Sequence, residues 1–204
     1  MEFRIVTKDR LTRNQQKLVR DLERVLELLR LDYRNILDYD YDSRTPHIQR
    51  MRDHVVRGEV VTQYTLMDEY LNGALCDYFF GRKRNAMQLW RTKKFRNFNY
   101  YVLEKLSLME KFQLLRAVRR VPKFVVADIE RLNNLRNGIA HAFFPENLRS
   151  AKPLWKGKSI HAVDGLEGFI HDMANLSEWF VVEVLCLRRS RRQPSTADPN
   201  SRRQ

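Results

Sequence analysis

The sequence contains little glycine, proline or cysteine, with 7, 6 and 2 residues respectively among 204. This scarcity excludes collagen-like, low-complexity and disulfide-scaffold proteins. No apolar run approaches the roughly 18–20 residues that a membrane span needs, and Met1 to Ile5 begin no apolar signal segment. Cys76 and Cys186 lie in apolar segments, which is typical of reduced thiols in the core of a cytosolic protein. We therefore expect a cytoplasmic protein that does not enter a membrane.

Basic residues are abundant: 38 Lys and Arg stand against 25 Asp and Glu, which gives a formal net charge of +13. Residues 188–204 hold six arginines, one acid and no apolar residue larger than Ala197. We expect this Arg-rich tail to be disordered, because it cannot bury enough apolar surface to fold. The remaining chain keeps a net charge of +8. Such a charge favours polyanions, and nucleic acid is the first partner to consider.

A second concentration of positive charge lies in residues 82–101, which contain seven Lys or Arg, five aromatic residues and no acid. Cations contact phosphates while exposed rings stack on unpaired bases, so this composition is typical of a surface that binds single strands. A basic connector whose aromatic side chains dock on the core explains the composition equally well. The residues predicted to bind RNA are Arg82, Lys83, Arg84, Arg91, Lys93, Lys94 and Arg96.

Apolar residues recur at helical spacing through almost the whole chain, which predicts an all-α protein built as an antiparallel helical bundle with short loops. Four-and-three spacing predicts an N-terminal helix from Leu11 to Leu29, and the acidic, aromatic residues 33–43 predict a loop. Thr45-Pro46 is typical of a helix start. Gly58 is expected to interrupt or end this short helix.

Further helices are predicted in the remainder of the chain. Residues 60–78 carry one apolar stripe, Ser107 opens a helix with a capping box, and Pro122 starts another helix. A Lys-Gly-Lys turn predicts a small hairpin within residues 152–163. Asp164 is expected to cap the final long helix.

One helix carries a group of polar residues on otherwise apolar sequence: Arg136, Asn137 and His141. Asn137 and His141 are four residues apart and share a face, whereas Arg136 lies about 140° round the helix from His141. An imidazole exchanges protons with a ribose 2′-hydroxyl or a leaving 5′-oxygen. A guanidinium stabilises a phosphorane-like transition state. These groups suffice for a metal-independent ribonuclease, although a surface ion pair of Arg136 and a helix-end position of His141 explain the same spacing.

The sequence Arg136-Asn137-Gly-Ile-Ala-His141 matches the Arg-x4–6-His signature of the HEPN superfamily, and residues 60–187 resemble that family in the order of their helices. The resemblance implies four core helices, a homodimer, and an endoribonuclease that needs no metal or cofactor and leaves a cyclic phosphate. It implies that Arg136 stabilises the transition state, that His141 is the acid or base, and that Asn137 is the polar residue commonly found after the arginine. Such proteins often act as toxins with an antitoxin, or in phage defence.

Three regions are expected along the chain. Residues 1–58 form a helical extension that packs on the bundle, residues 59–187 form the HEPN-like bundle, and residues 188–204 form the tail. Many HEPN proteins lack activity, so two alternatives stay open. One is a catalytically silent module for RNA binding or dimerisation, and the other is a regulatory protein whose basic face meets an acidic partner such as an inhibitor.

Overall fold

The structure, a computed structural model, describes residues 11–29, 31, 33–81, 91–141 and 153–184. This part is almost entirely helical, with one two-stranded sheet. The predicted all-α fold with a small hairpin is confirmed. The six helices described are α1 (Arg13–Leu28), α2 (Tyr41–Phe80), α3 (Lys93–Tyr101), α4 (Leu108–Val118), α5 (Lys123–His141) and α6 (Val163–Trp179). Short helical turns cover Tyr33–Asp38, Leu103–Lys105 and Phe180–Val184, and the strands are β1 (Leu154–Trp155) and β2 (Lys158–Ser159).

The chain divides into two compact units, Met1–Gly58 and Glu59–Gln204. In the first unit, α1 begins with a capping box in which Thr12 and Gln15 bond reciprocally. The predicted tail of residues 188–204 and Cys186 lie outside the described residues. That residues 1–58 pack on a bundle stays a prediction.

The loop predicted for residues 33–43 is wrong in part, because a 3-10 helix occupies Tyr33–Asp38 and α2 already begins at Tyr41. The Asp40 carbonyl oxygen accepts hydrogen bonds from the backbone and the hydroxyl of Ser43, which closes the chain into the first turn of α2. Arg44 donates to two carbonyl oxygens before this turn. These local bonds favour helix although the segment lacks an apolar stripe.

The helix boundaries predicted at Pro46 and Gly58 are also wrong, since α2 runs unbroken through both residues. Proline removes one backbone hydrogen bond, and a single glycine costs a helix only about 1 kcal/mol relative to alanine. The regular burial of Met51, Val56 and Val60 continues across Gly58. Burial of an apolar face therefore outweighs these two weak helix formers.

The core of the second unit is built from apolar side chains at helical spacing on α2, α4, α5 and α6. Each helix directs one stripe inward, and neighbouring members of a stripe are three or four residues apart. Buried members of these stripes are Met67, Leu71, Leu75, Phe112, Leu115, Val125, Ile129, Leu132, Phe169, Met173 and Leu176, and Phe180 in the turn after α6 continues the last stripe.

The predicted start of α4 is confirmed, because Ser107 and Glu110 form a capping box. The predicted start of α5 is confirmed as well: the helix begins at Lys123, and the Pro122 carbonyl oxygen accepts the Val126 N–H at 3.2 Å. Asp164, in contrast, is not the cap of α6. That helix begins at Val163, and the Asp164 carboxylate lies 3.1 Å from the Lys158 amine.

The hairpin turns through Lys156 and Gly157, which both have positive φ, at 47° and 86°. Two such residues form the two-residue turn that suits the twist of a hairpin. Trp155 in β1 is buried against Phe169 of α6, with ring centroids 5.1 Å apart. Its indole N–H donates to Asp172 at 2.7 Å. The hairpin is thus held on α6 by one aromatic contact and one charge-assisted hydrogen bond.

Gly165→Ala is expected to destabilise the protein by about 1–3 kcal/mol, because a Cβ there would overlap the Ser159 carbonyl of the hairpin. Gly168 lies on the same helix, and a Cβ there would meet no atom of another element within 4 Å. Gly168→Ala is the matched control and is expected to raise stability by up to about 1 kcal/mol. Urea unfolding measures both variants. Equal effects of the two substitutions would contradict the close approach at Gly165.

Candidate functional site

Arg136 is half-buried on α5, and its guanidinium is held by two contacts. Nη1 donates to Asn137 Oδ1 at 3.2 Å. The guanidinium carbon lies 5.2 Å from the centre of the Tyr64 ring on α2, within the range of a cation–π interaction. Among the described residues no ion pair to Arg136 is found, and the surface ion pair considered above stays an untested alternative.

The Tyr64 phenol is influenced by the charges of both Arg136 and Asp68. Burial of its phenol raises the pKa of Tyr64 above 10.0, and the nearby Asp68 carboxylate adds to the effect. The Arg136 charge and a hydrogen bond from the Leu108 backbone act in the opposite direction without outweighing burial. The Tyr64 hydroxyl is therefore protonated at neutral pH and remains a hydrogen-bond donor.

One turn beyond Tyr64 on α2, Asp68 binds a buried lysine of α4. Lys111 Nζ donates to the two carboxylate oxygens of Asp68 at 2.8 and 2.7 Å. The lysine side chain is only 3% exposed, whereas that of Asp68 is 26% exposed. A buried ammonium needs such a partner, because its desolvation is costly. Helix α2 thus makes two polar contacts one turn apart, with Arg136 of α5 at Tyr64 and with Lys111 of α4 at Asp68.

The sequence did not predict Tyr64, Asp68 or Lys111 as site residues. Of the two charged residues in the first turn of α4, Glu110 belongs to the capping box, whereas Lys111 is buried. The hydrogen bonds from the Ser107 backbone and hydroxyl lower the pKa of Glu110. Tyr64 and Asp68 are four residues apart, a spacing that places them on one helix face. This spacing is the feature of the sequence that could have identified the pair.

The structure brings Arg136 and Asn137 into contact and places both on the helix that ends at His141. Asn137 and His141 are four residues apart on regular α-helix, so their Cα atoms share a face as predicted. The side chain of His141 lies outside the described residues. The roles assigned to these three residues stay predictions.

Four of the seven cations predicted to bind RNA are described, and Arg91, Lys93, Lys94 and Arg96 are all exposed. Arg82, Lys83 and Arg84 lie outside the described residues. Some aromatic residues of this segment dock on the core, and others are exposed as in a surface that binds single strands. Phe95 is buried and Phe98 packs against Phe79 and Phe80, as anchors do. Tyr100 and Tyr101 are exposed and accessible to bases.

A separate ionic cluster connects α5, the hairpin and α6. Asp128 is buried and lies 2.7 Å from Arg131 and 3.8 Å from Lys156. Lys156 also binds Asp172 at 2.6 Å. Burial tends to raise the pKa of Asp172, but hydrogen bonds from Lys156 and Trp155 outweigh it and lower the pKa. We assign this cluster a structural role, because its contacts fix the hairpin beside α5.

Comparisons with known protein families, curated proteins and solved structures found no match for this chain. The resemblance to the HEPN superfamily therefore depends on the motif and its helical setting. Within the described residues, no helix has both the length and the apolar character needed to cross a membrane. The same residues contain no cluster of three or more His, Cys, Asp or Glu suited to a metal ion.

Proposed function

We propose that this chain is a metal-independent endoribonuclease of the HEPN type that cleaves single-stranded or loop RNA. The observation that carries the proposal is the placement of Arg136, whose guanidinium is held by Asn137 and Tyr64 on the helix that ends at His141. An oriented guanidinium and a histidine supply charge stabilisation and proton transfer respectively. Because these two groups cover both needs of the reaction, we expect cleavage without a metal ion.

In this reaction the ribose 2′-oxygen attacks the adjacent phosphorus. The O2′–P bond forms and the P–O5′ bond breaks. His141 accepts the proton of the 2′-hydroxyl or donates one to the departing 5′-oxygen, since an imidazole exchanges protons near neutral pH. Arg136 donates hydrogen bonds to the non-bridging oxygens, where negative charge increases in the transition state. The products are a 2′,3′-cyclic phosphate and a 5′-hydroxyl.

A homodimer is part of the proposal, because one copy of α5 separates the two groups. Arg136 and His141 are five residues apart, so their Cα atoms lie about 140° apart around the helix. The Arg136 side chain is directed toward Tyr64. A second copy that places its own motif alongside would bring an arginine and a histidine to one phosphate. We further propose a toxin or phage-defence role, with an antitoxin or inhibitor as partner.

The proposal is tested by incubating the purified chain with mixed single-stranded RNA and transfer RNA in EDTA. Denaturing gels are expected to show cleavage, and the fragments to carry cyclic phosphate ends. Arg136→Gln, purified identically, controls for copurifying nuclease and is expected to be inactive. Cleavage that requires added metal, or equal cleavage by Arg136→Gln, would contradict the mechanism.

A catalytically silent RNA-binding module is the second candidate, and the exposed cations of α3 favour it. Lys93, Lys94 and Arg96 accompany the exposed rings of Tyr100 and Tyr101 on a short helix. Cations and rings together bind single strands without cleaving them. In this case a native gel shows retarded, intact RNA, and binding weakens steeply with salt.

A further inference from the structure

An open groove of about 370 Å³ lies where α4 ends and α5 begins. Four cations line it, namely Arg116, Arg119, Arg120 and Lys123, whereas Glu130 is its one acid. The remaining lining is apolar, from Val121, Val126 and Ala127. A concave surface with four cations and one carboxylate attracts anions strongly, because low-dielectric walls focus the field of the charges.

The four cations of this groove differ in the contacts that hold them. Arg120 and Lys123 form no ion pair with any described residue. Arg119 donates to the backbone carbonyl of Glu183, which anchors its guanidinium beside the helical turn that follows α6. Arg116 extends over the Phe112 ring, with 6.0 Å between its guanidinium carbon and the ring centroid. Two cations are thus held in position, and two remain available for phosphates.

A second cavity, of about 380 Å³, adjoins the groove, since Arg119 lines both. It lies between α2 and α4, and Asp77, Tyr78 and Leu115 contribute to its lining. Its volume falls within the range of small-molecule pockets, roughly 300–1,000 Å³. The Tyr78 ring is 56% exposed there, and exposed rings stack on unpaired bases.

We infer that these two adjoining cavities form a second binding site for single-stranded RNA, with phosphates in the cationic groove and an unstacked base against Tyr78. The inference rests on the proposed function only for the choice of RNA as ligand. An acidic protein would be attracted by the groove but would not need an aromatic surface beside it. The pairing of cations with an exposed ring therefore favours a nucleic acid strand.

This second site is distinct from the motif on α5. Lys123 and Arg136 are thirteen residues apart, which places them about 20 Å apart along the helix and about 140° apart around it. Arg136 contacts Tyr64 of α2, whereas the groove lies on the side of α5 that meets the end of α4. The site therefore holds a distant part of a long strand and increases the local concentration of RNA.

The test measures binding of a fluorescent oligouridylate whose 2′-oxygens are methylated, so that cleavage cannot occur. The double variant Arg120→Gln/Lys123→Gln is expected to bind about tenfold more weakly, and its plot of log affinity against log salt to lose about 1.4 in slope. Glu130→Gln is expected to bind a few-fold more tightly, because it removes the one carboxylate from the groove. If these residues acted only through the fold, their substitutions would not be expected to change RNA affinity in opposite directions.

The matched control is Lys17→Gln/Arg20→Gln, which removes the same charge from exposed positions of α1. It is expected to change affinity less than twofold, and an equal loss in both double variants would overturn the site. Tyr78→Ala is expected to weaken oligouridylate about fivefold or more but to leave binding of inorganic polyphosphate unchanged. Groove variants that weaken polyglutamate binding but not RNA binding would assign the groove to an acidic protein instead.

The result is independent of whether the chain is a nuclease, because the methylated strand reports binding alone. If the α5 motif is inactive but the groove binds RNA, ordinary RNA stays intact and the groove variants still bind it more weakly than the wild type does. If the motif is active but the groove does not bind RNA, cleavage proceeds and the groove variants bind as the wild type does. If both exist, the groove variants lose kcat/KM on long RNA and keep it on a dinucleotide.

Discussion

Arg136→Lys is expected to lower kcat/KM for RNA cleavage by roughly 10²–10³-fold although the positive charge is kept. Lysine cannot stack on the Tyr64 ring as a planar guanidinium does, and it cannot donate two parallel hydrogen bonds to a phosphate. The contacts that orient Arg136 would therefore be lost together with the fork that matches the transition state. Initial rates with a fluorogenic RNA measure the effect.

Arg131→Lys is the matched control, because it makes the same change on the same helix. Arg131 is exposed and binds Asp128 at 2.7 Å, a contact that lysine can keep. Its activity is expected to stay within about twofold of wild type, because lysine keeps a positive charge beside the buried Asp128 carboxylate. Similar losses of activity in both variants would show that replacing an arginine by lysine on α5 disturbs the helix wherever it is made. Nearly full activity of Arg136→Lys would show that charge alone suffices.

Tyr64 bears on the pH dependence of the proposed reaction. Because burial raises its pKa above 10.0, the phenol stays protonated throughout the range in which an imidazole titrates, near pH 6.5. Any rise or fall of activity there would come from histidine and not from Tyr64. If two His141 side chains divide the acid and base roles, kcat/KM is expected to be bell-shaped in pH. A flat profile with chemistry rate-limiting would contradict that division.

Much of the fold could be predicted because its helices carry apolar stripes and local start signals. The capping box at Ser107 and the proline before α5 act through a few neighbouring residues, so sequence alone reveals them. The hairpin was predictable for the same reason, since its turn needs Gly157. The errors lie at residues 33–43, Pro46, Gly58 and Asp164, where local hydrogen bonds, helix burial or another partner outweigh the preference read from the sequence.

The candidate site was only half predictable from the sequence. Arg136, Asn137 and His141 are close along the chain, so their motif is visible there. Tyr64 and Lys111 belong to other helices, and their contacts depend on how those helices pack. Tyr64 occupies a position in an apolar stripe, so the sequence indicates a core residue and not a functional hydroxyl. Lys111 follows Glu110 in a first turn, where a charged residue is normally exposed. Only tertiary structure distinguishes a buried lysine from a solvated one.

Asp68→Ala is expected to destabilise the protein by about 3–5 kcal/mol, because it leaves the buried Lys111 ammonium without its carboxylate. Lys111→Met is expected to cost less, since the Asp68 side chain is 26% exposed and water can solvate it. Urea unfolding curves with unchanged slopes would measure both free energies.

The double variant Asp68→Leu/Lys111→Met separates two effects. One is the cost of leaving a single buried charge without its partner, and the other is the net contribution of the ion pair to stability. Apolar residues of similar volume often replace a buried ion pair with little loss of stability, so this variant is expected to be more stable than Asp68→Ala. Arg24→Ala removes an exposed ion pair with Glu27 and is expected to change stability little. If Asp68→Ala were equally harmless, the Lys111 ammonium would not be buried as described. Because Asp68 and Tyr64 share one face of α2, a lasting loss of RNA cleavage in the stable double variant would show that the ion pair of Asp68 and Lys111 also positions Arg136.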